Sequence, residues 1–134
     1  MGAWSHEPFG NDTAADWVYG LDDSEDLAYI ENTLDAVEDE DELDASVAEE
    51  AIAAVDVLAK ALGKGAPPDS YSDSAMQWIE RVKPVIARDL REKAIRVLNR
   101  IMEDDSELRG LWEESDDYAA WQQSVDALRL AMHG

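Results

Sequence analysis

Cysteine is absent from this chain of 134 residues. That excludes disulfides, a thiol nucleophile and a zinc site built on thiolates. Imidazole is nearly absent, with only His6 and His133, and phenylalanine occurs once, as Phe9. Basic residues are scarce: 11 Lys and Arg stand against 32 Asp and Glu, for a formal net charge of −21. A nucleic-acid-binding surface needs a positive footprint, so that class is excluded. An anionic membrane surface is excluded by the same argument. No apolar run approaches the ~20 residues of a membrane span. The first residues carry neither the basic nor the apolar region of a secretory signal, so the expected location is cytoplasmic. No cofactor or metal is expected.

What is present argues for a packed protein. Hydrophobic residues make up 46% of the chain and include five Trp, enough for a core in one domain spanning 1–134. The charge is uneven. Residues 1–80 hold 21 acids and only two bases, Lys60 and Lys64, whereas residues 81–134 hold 11 acids and nine bases. Such a balance has three readings: a basic partner, a high-salt environment that screens self-repulsion, or simple solvation of helix surfaces, which is the commonest of the three.

Periodicity predicts an all-α fold, a single compact bundle of five to seven helices with an irregular aromatic N-terminal segment. Gly2, Pro8, Gly10 and Asn11 make residues 1–11 irregular. A short helix follows, capped by Asn11 or Asp12 and ended by Gly20. A second helix is expected to begin near Asp22–Ser24, with Leu27, Ile30, Leu34 and Val37 as its apolar stripe. The five carboxylates Glu38, Asp39, Glu40, Asp41 and Glu42 repel one another and read as a solvated connection. Asp44 caps a third helix over 45–62, rich in Ala and suited to a central position. Gly63 and Pro67-Pro68 break the chain. A fourth helix starts after Ser72, with Met76, Ile79 and Val82 inward and Trp78 alongside, and ends at Lys83 before Pro84. A fifth covers 85–102, with Ile86, Leu90, Ala94, Val97, Leu98 and Ile101 on one face and Arg88, Arg91, Lys93, Arg96 and Arg100 on the other. Ser106 caps a short helix with Leu108, Leu111 and Trp112. A last helix spans 117–132, with Tyr118, Trp121, Val125, Leu128 and Met132 inward.

Catalytic and metal motifs are missing. From Asp35 or Asp39 a helix–loop–helix calcium site needs a Gly at its sixth position, and no Gly occurs between Gly20 and Gly63. Paired carboxylates of the glycosidase kind are unavoidable by chance among 32 acids, and nothing singles out one pair. No GxSxG serine elbow exists for His6 or His133 to serve. No catalytic residue is assigned. The basic face of the fifth helix reads as internal complementarity with the acidic second and third helices, or else as a small anion patch. Trp4, Phe9 and Trp17 read as a plug over one end of the bundle, or else as an exposed recognition patch rimmed by acids.

The opening residues also carry a resemblance. Met1-Gly2-Ala3-Trp4, Pro8-Phe9, Asn11-Asp12, Ala15 and Asp16-Trp17 resemble a bacterial family of short acidic proteins of unknown function. Its members open Met-Gly-Ala-Trp-Gly-x-Gly-x-Phe-x-Asn-Asp and continue with Ala and Asp-Trp. The Ala/Glu-rich helix over 44–61, Trp78 and the Ser106 to Trp112 stretch follow in the same order. Ser5 and Glu7 stand where that pattern has glycines. The resemblance marks Trp4, Phe9, Asn11, Asp12, Asp16 and Trp17 as a structural motif and implies no activity, cofactor or catalytic residue.

The functional expectation is therefore a non-enzymatic acidic binding protein, of the inhibitor or immunity type, for a basic protein partner. Its contact residues would be Glu38, Asp39, Glu40, Asp41, Glu42, Glu49 and Glu50. The alternatives are a small enzyme with a carboxylate-lined pocket and a self-associating structural module.

Overall fold

A computed structural model describes residues 12–39, 43–64 and 73–133. Within them lie seven helices and no strand: α1 (Asp12–Asp22), α2 (Ala28–Asp39), α3 (Ala45–Ala61), α4 (Asp73–Val82), α5 (Arg88–Ile101), α6 (Glu107–Glu113) and α7 (Tyr118–His133). The expected all-α bundle of five to seven helices is what forms.

The bundle is built around α3, which packs against each of the other six helices. Its composition explains that position. Alanines on most sides let neighbouring backbones approach closely, and residues 51–60 are buried without interruption. An amphipathic surface helix buries one stripe, whereas a helix apolar all round belongs at the centre. Its ends are secured locally. The Asp44 carboxylate accepts the Ser46 N–H at 2.7 Å, removing one of the unsatisfied donors of the first turn. At the other end Gly63 adopts φ +80°. There the Lys64 N–H donates to Ala59 O at 2.8 Å and the Gly63 N–H to Lys60 O at 3.0 Å, the paired bonds of a Schellman terminus.

The other helices present the stripes that their spacing dictates. Ile30, Leu34 and Val37 of α2 are fully buried, as are Ala94, Val97, Leu98 and Ile101 of α5. Trp121, Val125, Leu128 and Met132 of α7 join the same core, with Tyr118 half-buried beside them. Trp112 of α6 stacks on Trp121 with ring centroids 6.1 Å apart. Ser106 caps α6, accepting the Arg109 N–H.

Four sequence expectations need correction. Gly20 does not end α1, which runs on to Asp22. Its missing side chain serves tertiary packing instead: a Cβ there would lie 2.6 Å from Cζ of Tyr29. Helix α2 starts at Ala28 rather than near Asp22–Ser24, because the carbonyl of Ser24 is taken by Trp78 Nε1 at 2.9 Å and Arg81 at 3.1 Å. The Asp26 carboxylate supplies the acceptor for the Ala28 N–H instead. In α4 the deepest residue is Trp78, fully buried, with Met76, Ile79 and Val82 only partly so. Helix α5 starts at Arg88, not Val85. Lys83 turns into positive φ before Pro84, and residues 84–87 alternate inward and outward. That extended path brings Ile86 to the core and leaves Val85 outside.

Candidate functional site

Helix α2 carries Glu31, Asp35 and Glu38 at steps of four and three, so the three carboxylates share one face. Helix α5 packs alongside. Lys93 Nζ meets Asp35 Oδ1 at 2.6 Å and Arg96 Nε meets Glu38 Oε2 at 3.3 Å. The hydrogen bond that Lys93 donates to Asp35 raises the Lys93 pKa. Burial opposes that shift, and the charges of Asp35, Glu38 and Glu31 reinforce it. Further along α5, Arg100 reaches Asp105 at 2.8 Å and Arg88 pairs with Glu92 at 3.1 Å. The two α2–α5 pairs set which helix faces which more than they stabilise the fold, and each of these exposed or half-exposed pairs contributes at most about 1 kcal/mol. Complementarity between the basic helix and its acidic neighbour is thus realised through α2.

The seven residues assigned to partner binding are divided by this arrangement. Glu38 is engaged by Arg96. Asp39 is the exposed last residue of α2. Glu40, Asp41 and Glu42 lie outside the described residues. Glu49 and Glu50 sit on the first turns of α3, half-buried. Burial raises the Glu50 pKa, with a further push from the charge of Asp44. Burial also raises the Tyr29 pKa, with Glu50 adding to it. The chain beyond the acidic run is clamped. Leu43 is buried, its carbonyl accepts the Glu107 N–H at 3.2 Å, and the Glu107 carboxylate accepts the Ala45 N–H at 2.8 Å. The run is therefore no free linker at its edges: Glu38 and Asp39 are helical, and Leu43 is anchored to α6.

Of the N-terminal motif, Trp4, Phe9 and Asn11 lie outside the described residues, as does the side chain of Asp12, the first residue of α1. Asp16 is exposed. Trp17 is a packing residue: it is buried, stacks on Tyr29 at 5.2 Å and donates its indole N–H to Thr33 Oγ1 at 2.8 Å. The Tyr29 hydroxyl returns a bond to the Trp17 carbonyl at 2.8 Å.

Two features escaped the sequence reading. One is an ion pair in the middle of α3, between Asp56, which is fully buried, and Lys60, which is 8% exposed. Its signal was available: an acid and a base four residues apart are the only charges between Ala51 and Leu62. The other is a cavity of about 160 Å³ between the start of α5 and the end of α7, lined by Arg88, Arg91, Glu92, Ile95, Met132 and His133. Among the described residues no group of three or more His, Cys, Asp or Glu is placed to hold a metal ion, and no helix is long and apolar enough to cross a membrane.

Comparison with known proteins bears on the family and leaves the activity open. Neither the curated proteins nor the solved structures contain a match to this chain. A family model described as "Domain of unknown function (DUF4259)" matches residues 2–124. That span takes in all of α1 to α6 and the first part of α7, and the chain belongs to this family of domains of unknown function.

Proposed function

We propose that the protein is a non-enzymatic, cytoplasmic bacterial binding protein whose acidic surface engages a basic protein partner, in the manner of an inhibitor or immunity protein. One observation carries this reading: eight of the chain's 11 Lys and Arg are already committed internally. Lys60, Arg81, Arg88, Lys93, Arg96, Arg100, Arg109 and Arg129 each pair with a carboxylate of the same chain. The net charge of −21 therefore resides on acids that outnumber every internal counter-ion. Repulsion among them costs folding stability. A basic partner would relieve that repulsion and be steered to the surface at a fast rate. Asp39, the run 40–42 and the half-buried Glu49 on the first turns of α3 are the proposed contact.

The enzyme alternative predicts a deep cleft holding a carboxylate of shifted pKa. Glu50 has the shift, but it is not among the residues that line the α5–α7 cavity. The binding reading is tested by affinity capture from cells of the native host at low and moderate salt. The expected result is one basic protein whose retention falls as salt rises and falls again when residues 39–42 are neutralised. Recovery of no basic protein at either salt concentration would refute it.

A further inference from the structure

Helix α7 presents an outward face unlike those of its neighbours. Trp121, Val125, Leu128 and Met132 turn inward. The exposed residues of the helix are Ala119, Gln122, Gln123, Ala127, Leu130 and His133, none of them Asp, Glu, Lys or Arg. It holds one acid and one base, Asp126 and Arg129, and these pair with each other. Arg129 also donates to Asn99 of α5 at 2.8 Å. The exposed positions of α2 carry Glu31, Glu38 and Asp39 instead, and those of α4 carry Asp73, Glu80 and Arg81. Leu130 is 71% exposed. From Ala119 through Gln123, Asp126 and Leu130 to His133 the chain steps by four, three, four and three, the spacing of a seam between two helices.

A basic partner finds no acid on this face beyond Asp126, which is already neutralised. A second copy of the chain stands differently. Each copy carries −21, so two copies repel through any acid-bearing surface, and the outward side of α7 is where they can approach. The face is also complementary to itself. A two-fold pair sets one patch against the same patch. With two α7 helices antiparallel and the axis level with Ser124 and Val125, Leu130 of each copy lies over Ala119 of the other, large against small. The Gln123 amide faces the Asp126 carboxylate, donor to acceptor. His133 comes against Asp116 and Asp117, both exposed in the turn before α7, and the helix dipoles run in opposite directions. The 16 residues of α7 span about 24 Å. One such helix against another buries less than the roughly 1,000 Å² of a stable interface, so the pair is a weak one.

We infer that the outward face of α7 is a self-association surface, on which a second copy of this chain docks antiparallel. It is separate from the acidic surface and has the opposite response to salt. Screening weakens the attraction between an acidic face and a basic partner, but it strengthens the association of two like-charged copies. The test is sedimentation equilibrium of the full chain. The association constant should rise at least about tenfold between about 0.02 M and about 0.5 M salt. At the higher salt, Leu130→Glu should lower it at least about tenfold by placing a carboxylate in the seam. Adding Ala119→Lys to that variant should restore association, because the new base of one copy faces the new acid of the other. Adding Gln77→Lys instead, which changes net charge equally from an exposed position on α4, should not. Val85→Glu, at another exposed apolar residue, should leave association as in the parent. A parent chain that is monomeric at every salt concentration would overturn the assignment. So would association undiminished by Leu130→Glu, lost equally in Val85→Glu, or restored no better by Ala119→Lys than by Gln77→Lys.

Discussion

Removing the positive member of the α3 ion pair is the sharpest test of how the core is held. Asp56 has no exposed surface and the Lys60 side chain is 3% exposed. The helix that carries them is surrounded on all sides, so neither side chain can swing out to water without α3 leaving its place. Lys60→Met keeps the length and apolar stem of the side chain but takes away the ammonium. Breaking a buried pair from one side costs about 3–5 kcal/mol, because a desolvated charge is left behind. Domains of this kind have only about 5–15 kcal/mol in total. At roughly 3–4 °C per kcal/mol for a chain of this length, the melting temperature should fall by ~10–20 °C. The paired change Asp56→Asn with Lys60→Met removes both charges and should recover much of the loss, since a neutral pair of similar volume avoids the desolvation of ions. Thermal and urea unfolding of the four proteins in this cycle give the coupling directly. Equal destabilisation by the single and double changes, or a Lys60→Met protein as stable as the parent, would show that the two charges do not depend on each other.

Three further outcomes follow from the packing. Trp78→Ala should cost about 3–5 kcal/mol, as loss of a fully buried indole. Trp78→Phe should cost less, nearer 1 kcal/mol for the hydrogen bond, because Arg81 still serves the Ser24 carbonyl; chemical denaturation separates the two. Gly20→Ala would ordinarily stabilise a helix interior by about 0.5–1 kcal/mol, but here it should destabilise, since the new methyl meets the Tyr29 ring. A rise in melting temperature would refute that contact. Glu50→Gln should stabilise the protein at neutral pH. The raised Glu50 pKa means that the folded state holds this proton more tightly than the unfolded chain. Stability therefore falls as pH rises from the ordinary glutamate value, about 4.3, through the raised one. The difference between variant and parent should accordingly close below about pH 4 in pH-dependent unfolding.

Helix content and most core positions were legible because they depend on spacing alone. Ile30, Leu34 and Val37, or Trp121, Val125 and Leu128, fall on one face whatever they pack against. The central place of α3 was legible too, from its alanines. Boundaries set by distant partners were not. Nothing local to Ser24 reveals that Trp78, 54 residues on, takes its carbonyl and delays α2. Nothing local to Gly20 reveals the ring of Tyr29. The acidic run shows the same division. Its charge was plain, but the pairing of Glu38 with Arg96 and the clamp between Leu43, Ala45 and Glu107 depend on which helices become neighbours. The unsatisfied Nε of Arg91 was hidden for a related reason. A sequence lists charges, and only packing shows which of their atoms end up buried without an acceptor among the described residues.

The excess acid is proposed above to be a recognition surface. The measurement that addresses it most directly is the affinity of the captured basic partner, by calorimetry, across a range of salt concentrations. It should be made for the parent and for a variant carrying Asp39→Asn, Glu40→Gln, Asp41→Asn and Glu42→Gln. The predicted result is an affinity that falls steeply with salt in the parent and is both weaker and less salt-dependent in the variant. Equal affinity and equal salt dependence in the two proteins would contradict the claim and leave the charge as solvation of helix surfaces.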